Sequence, residues 1–462
     1  MIIDIYNPGE KIENEFLKEK IRSKINEMLN WKRKGFPGSN PVSLTNHNIK
    51  NLFNKEYIIC EKTDGVRYFL FIASNTTFLI DRNYEIFKND MHIPLKEDLS
   101  KKQQLTLLDG ELVEDTIFHE RKGIEEKKIV YLIYDGLYIQ RRDITNLSYL
   151  DRLKYVYNYV ITPLKIYKKK ILKNKNFNYS QESVCNDVSL KKRKYNVGSE
   201  YVEESKCLSV NVDNSRNSPN TSDKKISNYN ETDCIDYKRD SCINIDNEIN
   251  YSDSDINDDI SSSDSFINDE NEYPFEIYLK DFYTIDKICE LTKIMKKLPH
   301  PSDGIIFTPL NSSYVTGNFY HLLKWKPLNL NTVDFGIETV YDENNMPNKF
   351  ELFIAINGVR TSYKCYLAQY GDVYKELLQL ALNNKISHYI VECYYVSKNI
   401  YSICKNDNST ETEIEGGWIA QKIRYDKNIP NDISTLNKVI QSILDNITID
   451  SLIKEILRNK KC

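Results

Sequence analysis

The chain has 462 residues, with 63 Lys and Arg against 67 Asp and Glu, and the resulting charge of −4 excludes a uniformly basic nucleic-acid binder. Ten of those acids (Asp246, Glu248, Asp253, Asp255, Asp258, Asp259, Asp264, Asp269, Glu270 and Glu272) fall within residues 241–272, which hold no Lys or Arg, so −4 − (−10) leaves a mildly basic +6 elsewhere. The length rules out a single small module and points to two or three domains, and the absence of any run of about 18 apolar residues argues against a membrane protein.

The opening residues Met1 to Tyr6 lack the basic start and apolar stretch of a signal peptide. Ten scattered cysteines without CxxC pairing argue against a zinc site or a disulfide scaffold, and reduced thiols are expected. Glu10 to Trp31 has helical spacing, with Ile12, Phe16, Ile21, Ile25 and Leu29 on one face. Strands follow at Tyr57–Cys60, Tyr68–Ile72, Thr77–Ile80, Leu105–Leu108 and Ile129–Tyr134, then a helix over Leu150–Tyr159. Residues 168–272 are dominated by Asn, Ser, Asp, Lys and Tyr, cannot bury enough apolar surface to offset ordering entropy, and read as a disordered insertion. Its Lys191-Lys192-Arg193-Lys194 tetrad is a candidate nuclear localisation signal. After Pro327, short runs at Val333–Val340, Phe350–Ile356, Thr361–Leu367, Tyr389–Val396 and Trp418–Tyr425 suggest a small antiparallel barrel, closed by a helix over Val439–Leu457. The expected class is α+β.

The sharpest chemical signal is Glu61-Lys62-Thr63-Asp64-Gly65-Val66-Arg67, a lysine set after a strand and before an Asp-Gly turn. Alone it is an ordinary hairpin. Its weight comes from the motifs downstream of it, in order: Leu108-Asp109-Gly110-Glu111, Tyr134-Asp135-Gly136, Ser302-Asp303-Gly304-Ile305 and Leu323-Lys324-Trp325-Lys326-Pro327, all at strand ends.

With these motifs the chain resembles the covalent nucleotidyltransferases, which comprise mRNA capping enzymes and polynucleotide ligases. Gly35-Phe36-Pro37-Gly38-Ser39-Asn40-Pro41-Val42-Ser43, Asn331-Thr332-Val333-Asp334-Phe335 and the segment Arg424-Tyr425-Asp426-Lys427-Asn428-Ile429-Pro430-Asn431 behind Trp418 are similar to capping patterns. The resemblance implies an ATP-grasp-like nucleotidyltransferase domain with antiparallel sheets (1–167 and 273–328), an OB-fold lid (329–432) and a C-terminal helix (433–462). It implies GTP as substrate, a nuclear location and GMP transfer through a covalent lysine intermediate.

An ordinary lysine is only about one part in a thousand neutral near pH 7, so Lys62 needs activation, which Lys324, Lys326 and Arg67 would supply while also neutralising phosphoryl charge. By resemblance, Arg67 and Glu111 hold the ribose hydroxyls, with Arg82 nearby, and Tyr134 stacks on guanine. Lys280 donates to guanine O6, while Glu61 and Thr63 flank the nucleophile and Thr63 is a second guanine contact. Asp303 is the expected ligand of Mg2+ or Mn2+, hard ions that take carboxylate oxygen. Asp64 is expected to fix the turn with its carboxylate. Arg424, Asp426 and Lys427 close over the β- and γ-phosphates; Lys422 stands where the family often has Arg, and Trp418 reads as core packing. The acceptor is RNA with a 5′-diphosphate end. Without a phosphatase loop of the form HCxxxxxR, the RNA 5′-triphosphatase is expected on a separate chain, and the phosphorylated tail of RNA polymerase II is a further candidate partner. An ATP-dependent polynucleotide ligase and a catalytically dead scaffold are the alternatives.

Overall fold

The computed structural model describes residues 4–119, 123–179, 273–383, 389–406 and 410–459. The nuclear-signal tetrad and most of the expected insertion lie outside them. In chain order the first part holds β1 (Glu10–Lys11), α1 (Glu15–Met28), β2 (Ser39–Ser43), α2 (Asn51–Asn54), β3 (Tyr57–Thr63), β4 (Val66–Ala73), β5 (Thr76–Ile80) and β6 (Ile86–Asn89). Then come β7 (Thr106–His119), β8 (Ile124–Ile139), β9 (Arg142–Asp143), α3 (Tyr149–Val156) and α4 (Thr162–Tyr179). After the insertion follow β10 (Glu276–Leu279), β11 (Tyr283–Thr284), the helix Ile288–Met295, β12 (Ser302–Pro309) and β13 (Gly317–Trp325). The last part holds β14 (Thr332–Tyr341), β15 (Pro347–Ile356), β16 (Val359–Tyr366), the helix Asp372–Leu382, β17 (Ile390–Lys405), β18 (Glu411–Ile423) and the helices Ile433–Asp445 and Ile449–Asn459.

The α+β class holds, and two sheets build the catalytic part. One runs β1-β6-β5-β4-β7-β8-β10 with β9 on β8; the other runs β11-β3-β12-β13-β2. The first is covered by α3, the π-turn Tyr157–Ile161 and α4, which bury Val156, Val160, Ile161 and Leu164 against Leu70, Leu108 and Ile133. The π-turn has a local cause. Pro163 has no N–H to give Tyr159, and Gln103 Nε2 takes that freed carbonyl at 2.5 Å.

The third sheet is the expected barrel: β14-β15-β16-β17-β18 with an extra β14–β17 pairing that closes the ring, and the helix Asp372–Leu382 between β16 and β17. Trp418 packs in its core against Phe335 and Tyr395, as its sequence context indicated.

Several expectations need correction. The first helix begins at Glu15, because Asn14 caps it by accepting from Leu17 N; Ile12 precedes the helix and Phe16 is 68% exposed. Helix α4 runs through the basic Lys168–Lys170 cluster to Tyr179, so the irregular insertion does not begin at 168; Lys168 Nζ donates to Glu276 at 2.6 Å. The closing helix is two helices, divided at Asn446, which adopts the left-handed conformation at φ 47°, ψ 42°. Its second half leaves the barrel: Ile447, Leu452 and Ile456 pack with Ile59, Ile285, Leu291 and Phe307 of the catalytic part. Cys365 and Cys404, paired in register across β16 and β17, form a disulfide, whereas Cys60, Cys289 and Cys393 are free as expected.

Candidate active site

Strand β3 pairs antiparallel with β12, setting Lys62 opposite Gly304, and β12 pairs with β13, setting Ile305 opposite Trp325. Side chains alternate along a strand, so Lys62 points one way and Glu61 and Thr63 the other. Gly304 permits the approach of β12 to β13, because a Cβ there would lie 2.0 Å from the Trp325 carbonyl oxygen. Asp303 is thereby brought between two cations: its Oδ1 accepts from Lys62 Nζ at 2.7 Å and its Oδ2 lies 2.5 Å from Lys326 Nζ.

Lys324 stands beside this pair. Burial, then Lys326 and then Lys62 pull its pKa down to about 8, with Arg82 adding a smaller push in the same direction. Cations in this cluster outnumber the one carboxylate they share, an arrangement suited to a polyanion. Among the described residues no three His, Cys, Asp or Glu side chains gather to hold a metal ion. The Asp303 carboxylate is the donor type that a magnesium or manganese ion takes.

On the opposite face of β3 lies a buried polar group. Lys280 Nζ donates to Thr63 Oγ1 and lies 3.3 Å from Glu61 Oε1 and 3.6 Å from Glu111 Oε1; Thr63 Oγ1 donates to Glu61 Oε1 at 3.1 Å. Four residues expected near the nucleotide thus come together. Burial opposes the charge on Lys280, yet Glu61 and Glu111 outweigh it and hold the ammonium above its usual range. For Glu61 burial pushes up, while Lys280 and His300 prevail and hold the carboxyl below its ordinary value.

A third group centres on Asp109, to which the sequence reading gave no role. Its fully buried carboxylate takes Arg67 Nε at 2.9 Å and a second Arg67 nitrogen at 2.6 Å, together with the hydroxyls of Tyr134 at 2.7 Å and Tyr314 at 2.8 Å. Arg67 also donates to the Ser39 carbonyl at 2.7 Å, and its guanidinium lies 5.4 Å from the Phe36 ring centre and 5.7 Å from that of Tyr134. Gly38 allows this packing, since a Cβ there would meet the guanidinium at 2.4 Å.

Arg67, expected at the ribose, is held by Asp109 and Ser39. One expectation is corrected here. The Asp64 turn is pinned by its backbone N–H donating to the Pro301 carbonyl at 3.0 Å, not by its carboxylate.

Arg424, Asp426 and Lys427 form a separate group in the barrel. Arg424 forks Asp426 at 2.9 and 2.7 Å and also reaches Asp334 and Glu392, each at 3.3 Å; Lys427 donates to Asp334. Asp334 also accepts from the Asn431 side chain, and its own backbone N–H donates to Asn431 Oδ1, so two segments that looked capping-like far apart in sequence are one structure.

The family model for the mRNA capping enzyme catalytic domain matches residues 7–206 and 245–328, and that for the mRNA capping enzyme C-terminal domain matches residues 330–453. The chain belongs to the mRNA capping enzyme family. It is therefore a nucleotidyltransferase. The mRNA-capping enzyme subunit alpha of Schizosaccharomyces pombe is 25% identical over 94% of this chain and 83% of its own length. The subunits of the same name in Neurospora crassa and Saccharomyces cerevisiae are each 24% identical, over 98% and 93% of this chain and 92% and 80% of their own lengths. The ATP-dependent DNA ligase from bacteriophage T7 in complex with ATP covers 84% of this chain and 98% of the ligase at 11% identity, with a TM-score of 0.30, a likeness too low to add to the assignment.

Asp109, Tyr314, His300 and Asp115 are site residues that sequence reasoning missed. Asp109 sat inside a recognised motif, and His300 lies three residues before Asp303. Tyr314 and Asp115 carried no local signal, because only the pairing of distant strands brings them in.

Proposed function

We propose that this capping enzyme is a GTP:RNA guanylyltransferase acting by two-step transfer through Lys62. The observation that carries the reading is the cation cluster of Lys62, Lys324 and Lys326 around the single carboxylate of Asp303. In the first step Lys62 Nζ sheds a proton and attacks the α-phosphorus of GTP. An N–P bond forms, the bond to the bridging oxygen breaks, and pyrophosphate leaves. In the second, an oxygen of an RNA 5′-diphosphate attacks the same phosphorus, the N–P bond breaks, and the GpppN end is released as Lys62 regains its proton.

Lys324 and Lys326 meet the charge that spreads over the phosphoryl oxygens. A divalent ion held by Asp303 and the phosphates would supply further charge neutralisation. Lys280 and Thr63 read guanine, Glu111 and Arg82 attend the sugar, and the Tyr134 ring faces the base. An ammonium favours guanine O6 and opposes the amino group of adenine, which sets the sense of the selectivity. Arg424, Asp426 and Lys427 orient pyrophosphate once they exchange protein partners for phosphate.

The Schizosaccharomyces pombe, Neurospora crassa and Saccharomyces cerevisiae relatives carry the name subunit alpha, which supports a 5′-triphosphatase on a separate chain. A nuclear location follows from action on nascent transcripts, and the phosphorylated tail of RNA polymerase II is the partner that would deliver them. Incubation with labelled GTP and labelled ATP tests the reading: a covalent adduct is expected from GTP, and label retained from ATP alone would make the protein a ligase.

A further inference from the structure

The polar group behind β3 does not end at Glu61. His300 is 7% exposed and is pinned on both sides by backbone bonds: Thr116 N donates to Pro299 O at 2.7 Å, and Asp64 N to Pro301 O at 3.0 Å. Its Nδ1 lies 2.8 Å from Asp115 Oδ1 on β7, in a carboxylate 1% exposed. Its Nε2 lies 3.7 Å from Glu61 Oε1, an ion-pair distance beyond hydrogen-bond reach, and has no other partner among the described residues. The groups facing this imidazole are Asp115 and Glu61, with Lys280 and Glu111 in the next layer. Two carboxylates meeting the ring from opposite sides favour its protonated form.

Donor and acceptor accounting then fixes the Thr63 hydroxyl. An ionised carboxylate only accepts and an ammonium only donates, so the hydroxyl hydrogen goes to Glu61 and one lone pair goes to Lys280. What the hydroxyl has left is an acceptor. Guanine offers N–H donors on its pairing edge, whereas adenine has a bare ring nitrogen in the corresponding place. The sense of this bond depends on Glu61 staying ionised and in place.

We propose that His300, held by Asp115, is a positioning residue for base selection: it fixes the Glu61 carboxylate and, through it, the polarity of the Thr63 hydroxyl beside Lys280. The inference rests on the guanylyltransferase reading of the site. His300 touches no reacting atom in this arrangement and acts only through Glu61.

The test measures equilibrium binding of GTP and of ATP to the full chain by calorimetry in a Lys62→Ala background, where transfer is blocked. His300→Asn keeps a donor toward Asp115 and removes the cation facing Glu61, and Glu61→Gln keeps shape while letting the partner of Thr63 donate. Each is expected to lower the GTP-to-ATP preference about tenfold, the scale of one reoriented buried hydrogen bond, and the double variant is expected to stay within about twofold of either single. Equal weakening of GTP and ATP by His300→Asn would make the residue merely structural, and a double effect equal to the product of the singles would remove the link through Glu61. Should His300→Asn fail to fold, the volume-matched Glu61→Gln decides alone, an unchanged preference overturning the proposal. A background protein that binds GTP and ATP equally would overturn the guanylyltransferase reading and the inference with it, whereas a clear GTP preference that both variants leave intact would overturn only the inference.

Discussion

The lysine cluster at Asp303 and the arginine cluster at Asp334 are built from the same residue types with opposite balance. At the first, Lys62, Lys324, Lys326 and the nearby Arg82 share one carboxylate. At the second, Arg424 and Lys427 meet three, those of Asp334, Glu392 and Asp426. A site short of negative charge binds an anion by adding a partner. A site with an excess of it can engage phosphate only by giving up ion pairs that the barrel already makes. The lysine cluster is therefore open to an anion, whereas the barrel's cations stay committed to its own acids until phosphate replaces them.

The largest test of this contrast is Lys62→Ala, which should reduce the covalent adduct from labelled GTP to background on a denaturing gel; a persistent adduct would move the nucleophile elsewhere. Next is Asp303→Ala, which releases both lysines and removes the acid: adduct formation should fall by about 10²–10³, the scale for losing one preorganised electrostatic partner. Arg424→Ala should cost less, about tenfold in pyrophosphate exchange, since the residue must first leave Asp426 and Asp334; a loss as large as that of Asp303→Ala would erase the proposed difference between the two clusters.

The smallest effect is on pH dependence. Lys324 is charged below about 8 in the folded protein, so kcat/KM for GTP should decline as pH rises through that value, and Lys324→Gln should remove the inflection. The sign for stability is the reverse. The unfolded lysine keeps its proton to about 10.4, so between about 8 and about 10.4 the unfolded chain binds more protons and folding stability should rise with pH in thermal melts, less so in Lys324→Gln.

Sequence reading reached the strands through β-branched and aromatic runs, and it placed Lys62, Asp303, Lys324 and Lys326 together through the resemblance to nucleotidyltransferase motifs; the pairing of β3, β12 and β13 supplies the physical reason. It overreached at Ile12, which precedes the helix that Asn14 caps, and at Phe16, which is helical but faces solvent. The resemblance put Arg67 at the ribose, and the sequence alone could not show that β4 and β7 pair Arg67 with Glu111 while Asp109, two residues before, takes the fork. Charge alone does not show which partners a buried arginine takes; the partner strand does. Cys365 and Cys404, 39 residues apart, likewise become neighbours only when β16 and β17 pair.

The division at Asn446 bears on how the molecule is assembled. The Trp325 indole N–H, at the last residue of β13, donates to the Ile447 carbonyl at 2.7 Å, just where the chain returns from the barrel. Residues 326–446 thus leave and re-enter the catalytic part at adjoining points, and the helix Ile449–Asn459 completes a core begun far upstream by Leu44 and Leu52. In connectivity the barrel is a guest domain inserted into its host, with the two ends of the guest side by side. Proteins tolerate such insertions, and their removal, because the host sees only a short gap. The catalytic part consequently needs the last helix of the chain, whereas a short linker spanning Pro327 to Ile447, which keeps Lys326, would serve its fold in place of the barrel.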